Sequence, residues 1–298
     1  MGMRVSTFAQ TSNVLQNAMT TQARLAEKQM QQSTGRVSTD YAGLGSTAGK
    51  VVNLEVSVSR AEATLSAAEQ AQTRIEVIYD ALGSMSDNLT KLRSDLSSAS
   101  TGVSTETLQT TAEAMLEDMS SLLNTQLNGR YLFAGSATET APVDISGYSV
   151  TSLSVVDSSY YNGDDYTQTV HLGQDRSIDY GITADASGLE KSMRVLSYIA
   201  NASPLESEDL EEANTLLIEA QDQIIAMQST AGTKSSVLDS YIENQKDYIA
   251  STKEMATTLA SVDIAAVAVE ATNYETQLEA SYAALGKLTS LSVLEYLR

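Results

Sequence analysis

The nine residues Gly43-Leu44-Gly45-Ser46-Thr47-Ala48-Gly49-Lys50-Val51 come nearest to a chemical site in this sequence. Spaced glycines ending in Gly-Lys are the raw material of a phosphate cradle, whose backbone N–H groups wrap the phosphates while the lysine neutralises them and a hydroxyl holds magnesium. That loop needs G-x-x-x-x-G-K-[ST]. Counted back from Gly49, its first glycine falls on Leu44, and its hydroxyl position falls on Val51. Both signature positions fail, and no strand-like run leads in. Gly43, Gly45 and Gly49 are expected instead to form a hinge, since glycine takes φ values closed to other residues.

The remaining candidates for chemistry are no stronger. His171 is the only histidine and lies in an alternating run, where a polar strand-face role outweighs that of a general base. Asp157, Asn162, Asp164 and Asp165 are oxygen-rich, but Tyr161 takes a ligand place and the glycine is displaced from EF-hand spacing. Glu206, Glu208, Asp209, Glu211 and Glu212 suit the start of a helix, whose dipole favours negative charge. With no cysteine and one histidine the usual zinc ligand sets are missing, and no G-x-S-x-G surrounds a serine. The sequence therefore points to no enzyme, no cofactor and no metal.

Charge and hydropathy narrow the partners. A net charge of −20 argues against binding a phosphate backbone, which needs clustered Lys and Arg. Residues 1–50 carry five basic and two acidic groups, and residues 271–298 two basic and three acidic, so the negative excess lies in residues 51–270. The longest purely apolar run, Ile264 to Val269, is far too short to cross a bilayer. Residues 1–30 are amphipathic and polar rather than a basic head and an apolar block, so no secretory signal is read there. Met1-Gly2-Met3-Arg4-Val5-Ser6 fits a myristoylation pattern by chance, without a polybasic second signal, and leaves Met1 or Met3 as the start. Neither nucleic acid nor membrane is expected as a partner.

Positioning elements follow from periodicity. Leu54, Ala61, Ala68, Ile75, Leu82, Leu89 and Leu96 are seven apart, and their companions shift from Val51, Val58 and Leu65 to Ile78, Met85 and Leu92. That drift is what a seven-residue repeat does on a 3.6-residue helix, so one long helix is predicted to about Ser98. After Ser100-Thr101-Gly102, Leu108, Ala112, Met115, Met119, Leu122 and Gln126 predict a helix that packs back on the first. Leu210, Leu217 and Ile224 predict a shorter helix with Ser203-Pro204-Leu205-Glu206 as its capping box. Tyr241, Tyr248, Met255, Val262 and Val269 predict a second long one.

From Tyr131 to about Ala186 the pattern changes to short alternating runs: Val143/Ile145, Val150–Val156, Tyr166–Leu172 and Ile178/Tyr180/Ile182. Asn162-Gly163 between two of them is expected to be a hairpin turn. The chain thus leaves along helices, forms a β insertion and returns along helices. At the ends, Val5, Phe8, Leu15, Met19, Leu25 and Met30 form one apolar stripe, and Tyr274, Leu278, Tyr282, Leu285, Leu288, Leu291 and Leu294 form another. A lone pair of thin helices covers such stripes poorly, which marks them as assembly surfaces. Three domains are expected: residues 1–50 with 271–298 as the terminal assembly domain, 51–130 with 187–270 as a long-helix rod, and 131–186 as the inserted β domain.

The run Asn128-Gly129-Arg130-Tyr131-Leu132-Phe133-Ala134-Gly135-Ser136 resembles the hook–filament junction proteins of the bacterial flagellum, hook-associated members of the flagellin superfamily. Met3-Arg4-Val5-Ser6-Thr7, Ser33-Thr34-Gly35-Arg36-Val37, Tyr274 to Tyr282 and Leu291 to Leu297 resemble the ends of that family. The terminal patterns are shared with filament-forming flagellins, whereas the N-G-R-Y-L-F-A-G run and the final Leu-Glu-Tyr-Leu are closer to the junction proteins. The resemblance implies a mainly α fold with an inserted β domain, a flagellin-like rod of antiparallel helices with paired terminal helices at one pole and the β domain at the other.

It also implies a secreted, extracellular flagellar component, exported unfolded through the flagellar type III apparatus. The implied role is a structural adaptor joining hook to filament. Partners would be copies of itself in a ring, a neighbouring hook-associated protein, flagellin, and an export chaperone at the C-terminal helix. A filament-forming flagellin is the alternative, and a secreted coiled-coil effector or translocator a more distant one. A phosphate-binding enzyme is the weakest.

Overall fold

The computed structural model describes the backbone of residues 2–99, 105–173 and 176–296, and side chains over 9–98, 105–173 and 176–288. In chain order the elements are α1 (Gly2–Thr34), a short 3-10 segment (Ala42–Thr47), α2 (Ala48–Ala99) and α3 (Thr105–Leu123). Two minimal hairpins follow, β1 (Gln126–Leu127) with β2 (Arg130–Tyr131), and β3 (Thr169–His171) with β4 (Ser177–Asp179). The chain closes with α4 (Ser187–Asn201), α5 (Ser207–Ala260) and α6 (Ile264–Tyr296). It is a mainly α protein with small two-stranded sheets. Two compact units divide it: residues 1–59 with 249–298, and residues 60–248.

In the second unit the predicted drift on α2 is realised. Ala61, Ala68, Ile75, Leu82, Leu89 and Leu96 are buried, and so are Ile78, Met85 and Leu92. Along α5 the partners of α2 run in reverse order: Arg93 donates to Gln221 (2.7 Å), Gln228 to the Tyr79 carbonyl (3.3 Å), Gln72 to Asp239, and Lys246 pairs with Glu69 (2.9 Å). The two helices are therefore antiparallel. Helices α3 and α4 add Leu108, Met119 and Leu123, and Leu189, Met193 and Leu196, to the same apolar cluster. The break proposed at residues 100–102 lies outside the described residues.

Four expectations are corrected. The two helices read from Leu210 to Met227 and from Tyr241 to Val269 are one helix as far as Ala260, because Leu217, Ile224, Ala231, Leu238 and Ile242 keep one face buried without interruption. A new helix starts at Ile264, so the series Tyr241–Val269 crosses a break. The buried line is Leu238, Ile242, Ile249, Thr252 and Ala256, which leaves Tyr248 and Met255 on its flank, about half exposed. The N-cap of α5 is Glu206, whose backbone N–H donates to Asp209 (3.0 Å), and the Ser203-Pro204 pair lies ahead of it.

The insertion is the fourth. Asn128-Gly129 makes the tight hairpin, with φ of 54° and 74° as a type I′ turn requires, and it joins β1 to β2 in the register Leu127↔Arg130. Asn162-Gly163 joins no strands of a ladder. Val143 and Tyr161 form a single bridge, and Val150–Val156 is irregular. Backbone groups that a sheet would have paired go to side chains instead. Asn124 bonds both the N–H and the C=O of Val143 (3.0 and 2.8 Å), and Ser197 accepts from Val150 and donates to Tyr148. Tyr160 packs edge-on to Tyr148, with ring centroids 5.1 Å apart, and its hydroxyl reaches the Ala184 carbonyl (3.0 Å).

The β3–β4 hairpin docks separately. Val170, Leu172 and Tyr180 pack on Ala68, Ala71, Ile75, Leu238 and Ile242, and the Tyr241 hydroxyl donates to the Leu172 carbonyl (2.8 Å).

Candidate assembly surface

In the first unit α1 and α6 pack along their lengths. Lys28 pairs with Glu270 (2.7 Å), and nearer the loops the Val262 N–H donates to the Gly35 carbonyl (2.9 Å), so residue numbers rise on one helix as they fall on the other. Ahead of the half-buried Met30 and the buried Gln31 at its C-terminal end, the least exposed of the described positions of α1 are Thr11, Val14, Ala18, Thr21, Leu25 and Lys28, spaced alternately by three and four. On α6 they include Val267, Ala271, Tyr274, Leu278 and Ser281, with the same alternation. This is the seam of an antiparallel coiled coil.

The predicted stripes divide between this seam and the outside. Leu25 is buried in the seam, and Met30, Tyr274, Leu278, Leu285 and Leu288 are half-buried. Leu15, Met19 and Tyr282 stay on outer faces at 50%, 64% and 49% exposure. The backbones of Val5, Phe8, Leu291 and Leu294 lie within α1 and α6, and their side chains lie outside the described residues. The sequence reading missed Ile264 and Val269, which are also exposed on α6. The heptad series from Tyr241 to Val269 crosses the helix break at 261–263, so Val269 does not continue the line of α5.

The seam on α1 is weak by composition. Two threonines, an alanine and a lysine occupy positions where a stable coiled coil carries large aliphatics, and Val14 and Leu25 are the larger apolar groups there. Large apolar side chains sit outside instead.

At the hinge the three glycines behave differently. Gly45 has φ 55° within the 3-10 segment. A Cβ on Gly43 would collide with the Ser38 side chain, and its N–H donates to Asp40 (2.8 Å). Gly49 lies inside the first turn of α2 with open space around it. Lys50 is exposed there, and Leu44 packs with Val51 and Ala260 beneath the loop.

The motif residues lie in the second unit. Asn128 and Gly129 form the turn, Arg130 is exposed, Tyr131 is half-buried, and Leu132, Phe133 and Ala134 are buried. Gly135 has φ 66°, and a Cβ there would strike Asp164. Asp164 accepts the backbone N–H of Ser136 (2.7 Å) and also its hydroxyl, and these donors hold its carboxyl below the usual carboxylate range. Thus Asp164, weighed in the sequence as a calcium ligand, anchors the chain after the motif.

Elsewhere His171 faces solvent opposite Ser177 on β4. Among the described residues no group of three or more His, Cys, Asp or Glu is placed to hold a metal ion, and no helix is long and apolar enough to cross a membrane.

The family model for the bacterial flagellin N-terminal helical region matches residues 5–138, and that for the bacterial flagellin C-terminal helical region matches residues 215–297. Together they take in well over half of the chain. A solved structure named for a flagellar hook-associated protein from Vibrio parahaemolyticus is 16% identical, with a TM-score of 0.59 over 72% of this chain and 97% of that one. FlgL from Bacillus cereus is 15% identical, with a TM-score of 0.53 over 63% of this chain and 98% of its own. Flagellar hook associated protein-3 from Legionella pneumophila is 14% identical, with a TM-score of 0.54 over 70% and 98%. At these identities the likeness is one of fold. The curated proteins hold no significant sequence match.

Proposed function

The chain belongs to the flagellin superfamily, and from that premise we propose that it is a non-enzymatic structural component of the bacterial flagellum, joining hook to filament. The observation that carries this reading is the paired α1 and α6, whose seam is poor in large apolar groups while Leu15, Met19, Val269 and Tyr282 face outward. Apolar side chains on the outside of a thin helix pair are covered when identical pairs pack around an axis. The near-neutral charge of both ends favours that packing, because the acidic excess lies elsewhere.

In this reading residues 1–50 with 271–298 form the assembling domain, 51–130 with 187–270 the long-helix domain, and 131–186 the outward insertion. The partners are copies of the chain in a ring, a neighbouring hook-associated protein and flagellin. Export is through the flagellar type III route to the cell exterior, escorted by a chaperone on the C-terminal helix. Localisation of the labelled protein by electron microscopy tests the proposal: a narrow band between hook and filament is expected. Label along the filament would replace it with the second reading.

That second reading, a filament-forming flagellin, is favoured by the match of both terminal regions to flagellin models, which filament proteins share. Purified chain seeded with filament fragments separates the two. Capped or absent growth supports the junction role, and unlimited growth supports flagellin.

A further inference from the structure

The chain has ten methionines and no cysteine, so all of its oxidisable sulfur is thioether. The side chains of Met1 and Met3 lie outside the described residues, and the other methionines differ sharply in access. In the second unit Met85, Met119 and Met193 are buried, and Met115 and Met227 are half-buried against the same apolar cluster. In the first unit Met30 is half-buried, and the Thr34 hydroxyl donates to its sulfur (3.7 Å). Among the described residues only Met19, at 64% exposure, and Met255, at 54%, stand open to a solvent-borne oxidant.

These two exposed sulfurs sit in different settings. Met19 shares an outer face of α1 with Leu15, one turn away, outside the seam through Ala18 and Leu25. Its other neighbours one turn away, Gln16, Gln22 and Ala23, carry no charge, so this face is neutral as well as apolar. Met255 lies on the flank of α5, beside the buried Thr252 and Ala256. A thioether suits an apolar contact, being flexible and polarisable. A sulfoxide does not, because its oxygen loses water when a neighbour covers it.

We infer that Met19 is a modification site at which a peroxide switches off assembly: oxidation of its thioether to the sulfoxide keeps a second copy from covering the outer face of α1. The sulfur lone pair attacks one peroxide oxygen, and an S–O bond forms as the O–O bond breaks. The departing oxygen takes up the proton and leaves as water, so sulfur is oxidised by two electrons and the peroxide reduced by two. Methionine sulfoxide reductases reverse the change. The inference rests on the assembly reading of α1 and adds a chemical control to it. A covered face shields the same sulfur, so the free chain is the target and the assembled chain is protected.

The test uses the full chain, hydrogen peroxide, and isolated flagellar fragments that carry both hook and filament ends. Peptide mass spectrometry of the treated free chain is expected to show Met19 and Met255 gaining oxygen at least about tenfold faster than Met85, Met119 and Met193. Co-sedimentation with the fragments is then scored for each chain as its treated against its own untreated sample. A loss of about tenfold is expected for the unaltered chain and for Met255→Leu, with recovery after methionine sulfoxide reductases A and B. Met19→Leu keeps the apolar volume without the sulfur, and its ratio is expected to stay near one. An equal loss in Met19→Leu, or undiminished binding by a chain oxidised at Met19, overturns the inference. Once bound to the fragments, Met19 is expected to oxidise more slowly than Met255, and equal rates also overturn it. An untreated chain that does not bind removes the assembly reading and the switch with it. Binding that ignores the state of Met19 removes the switch alone.

Discussion

Glu190 and Arg194 form a buried ion pair one turn apart on α4, Oε1 to Nε 3.1 Å, and the same two groups hold the irregular insertion in place. Glu190 accepts the Asp157 N–H (2.9 Å), while Arg194 donates to the Leu153 carbonyl. Each charge is therefore neutralised by the other and also completes a backbone group that no sheet pairs. Removing one partner leaves a buried charge and an orphaned backbone group, at about 3–5 kcal/mol. Arg194→Met is expected to lower the urea midpoint of residues 60–248 by a corresponding amount, at unchanged slope. Glu190→Gln with Arg194→Met is expected to cost less than the sum of the single changes.

The motif glycines are needed for different reasons. Gly129 has positive φ but open space, so Gly129→Ala is expected to cost about 1–2 kcal/mol for the left-handed backbone alone. Gly135→Ala adds a collision with Asp164 to a similar strain and is expected to cost more. Thermal unfolding of the two variants checks the order.

At the hinge, Gly45→Ala is expected to destabilise by about 1 kcal/mol through its positive φ. Gly43→Ala is expected to disturb the loop because Ser38 occupies the space. Gly49→Ala, inside a helix turn and unobstructed, is expected to be neutral or to stabilise by up to about 1 kcal/mol. A chain in which Gly49→Ala alone abolished assembly would show a role for that residue outside the fold of the single chain.

Assembly and folding should separate on α1. Leu15→Asp and Met19→Asp lie on the outer face and are expected to block polymer or ring formation while leaving monomer unfolding unchanged. Leu25→Ala, in the seam, is expected to weaken the helix pair itself by about 2 kcal/mol, the low end for a buried leucine. Sedimentation and circular dichroism on the same samples distinguish the two effects.

Alkaline pH should loosen the insertion. Burial pushes the phenols of Tyr148, Tyr160 and Tyr161 well above the ordinary tyrosine value. A group whose pKa is raised by folding contributes stability in full below its unfolded value, here about 10, and loses it as pH rises through and above that value. Ultraviolet titration of the phenolates should show Tyr148, Tyr160 and Tyr161 among the last of the fourteen tyrosines to ionise, together with unfolding. Tyr160→Phe is expected to reduce the late fraction.

What the sequence determined by itself is whatever depends on short-range period. The seven-residue spacing on α2, the apolar ends and the change of pattern at Tyr131 are local properties of the chain, and each corresponds to an element of the fold. Family membership was legible for the same reason, since its motifs are contiguous runs. Helix α4 carries an amphipathic period of its own, Leu189, Met193, Leu196 and Ile199, that the sequence reading passed over; what the sequence does not show is that Glu190, Ser192, Arg194 and Ser197 on its polar side are buried as well. Tertiary structure alone decided that Asn128-Gly129 rather than Asn162-Gly163 turns a hairpin, because a turn needs flanking strands that pair, and Gly163 instead packs against Tyr161 and the Ala134 carbonyl. It also decided which residues of each terminal stripe enter the seam and which face outward. That choice follows from the register between α1 and α6, more than two hundred residues apart in the chain, in which Lys28 meets Glu270 and Arg36 meets Ser261.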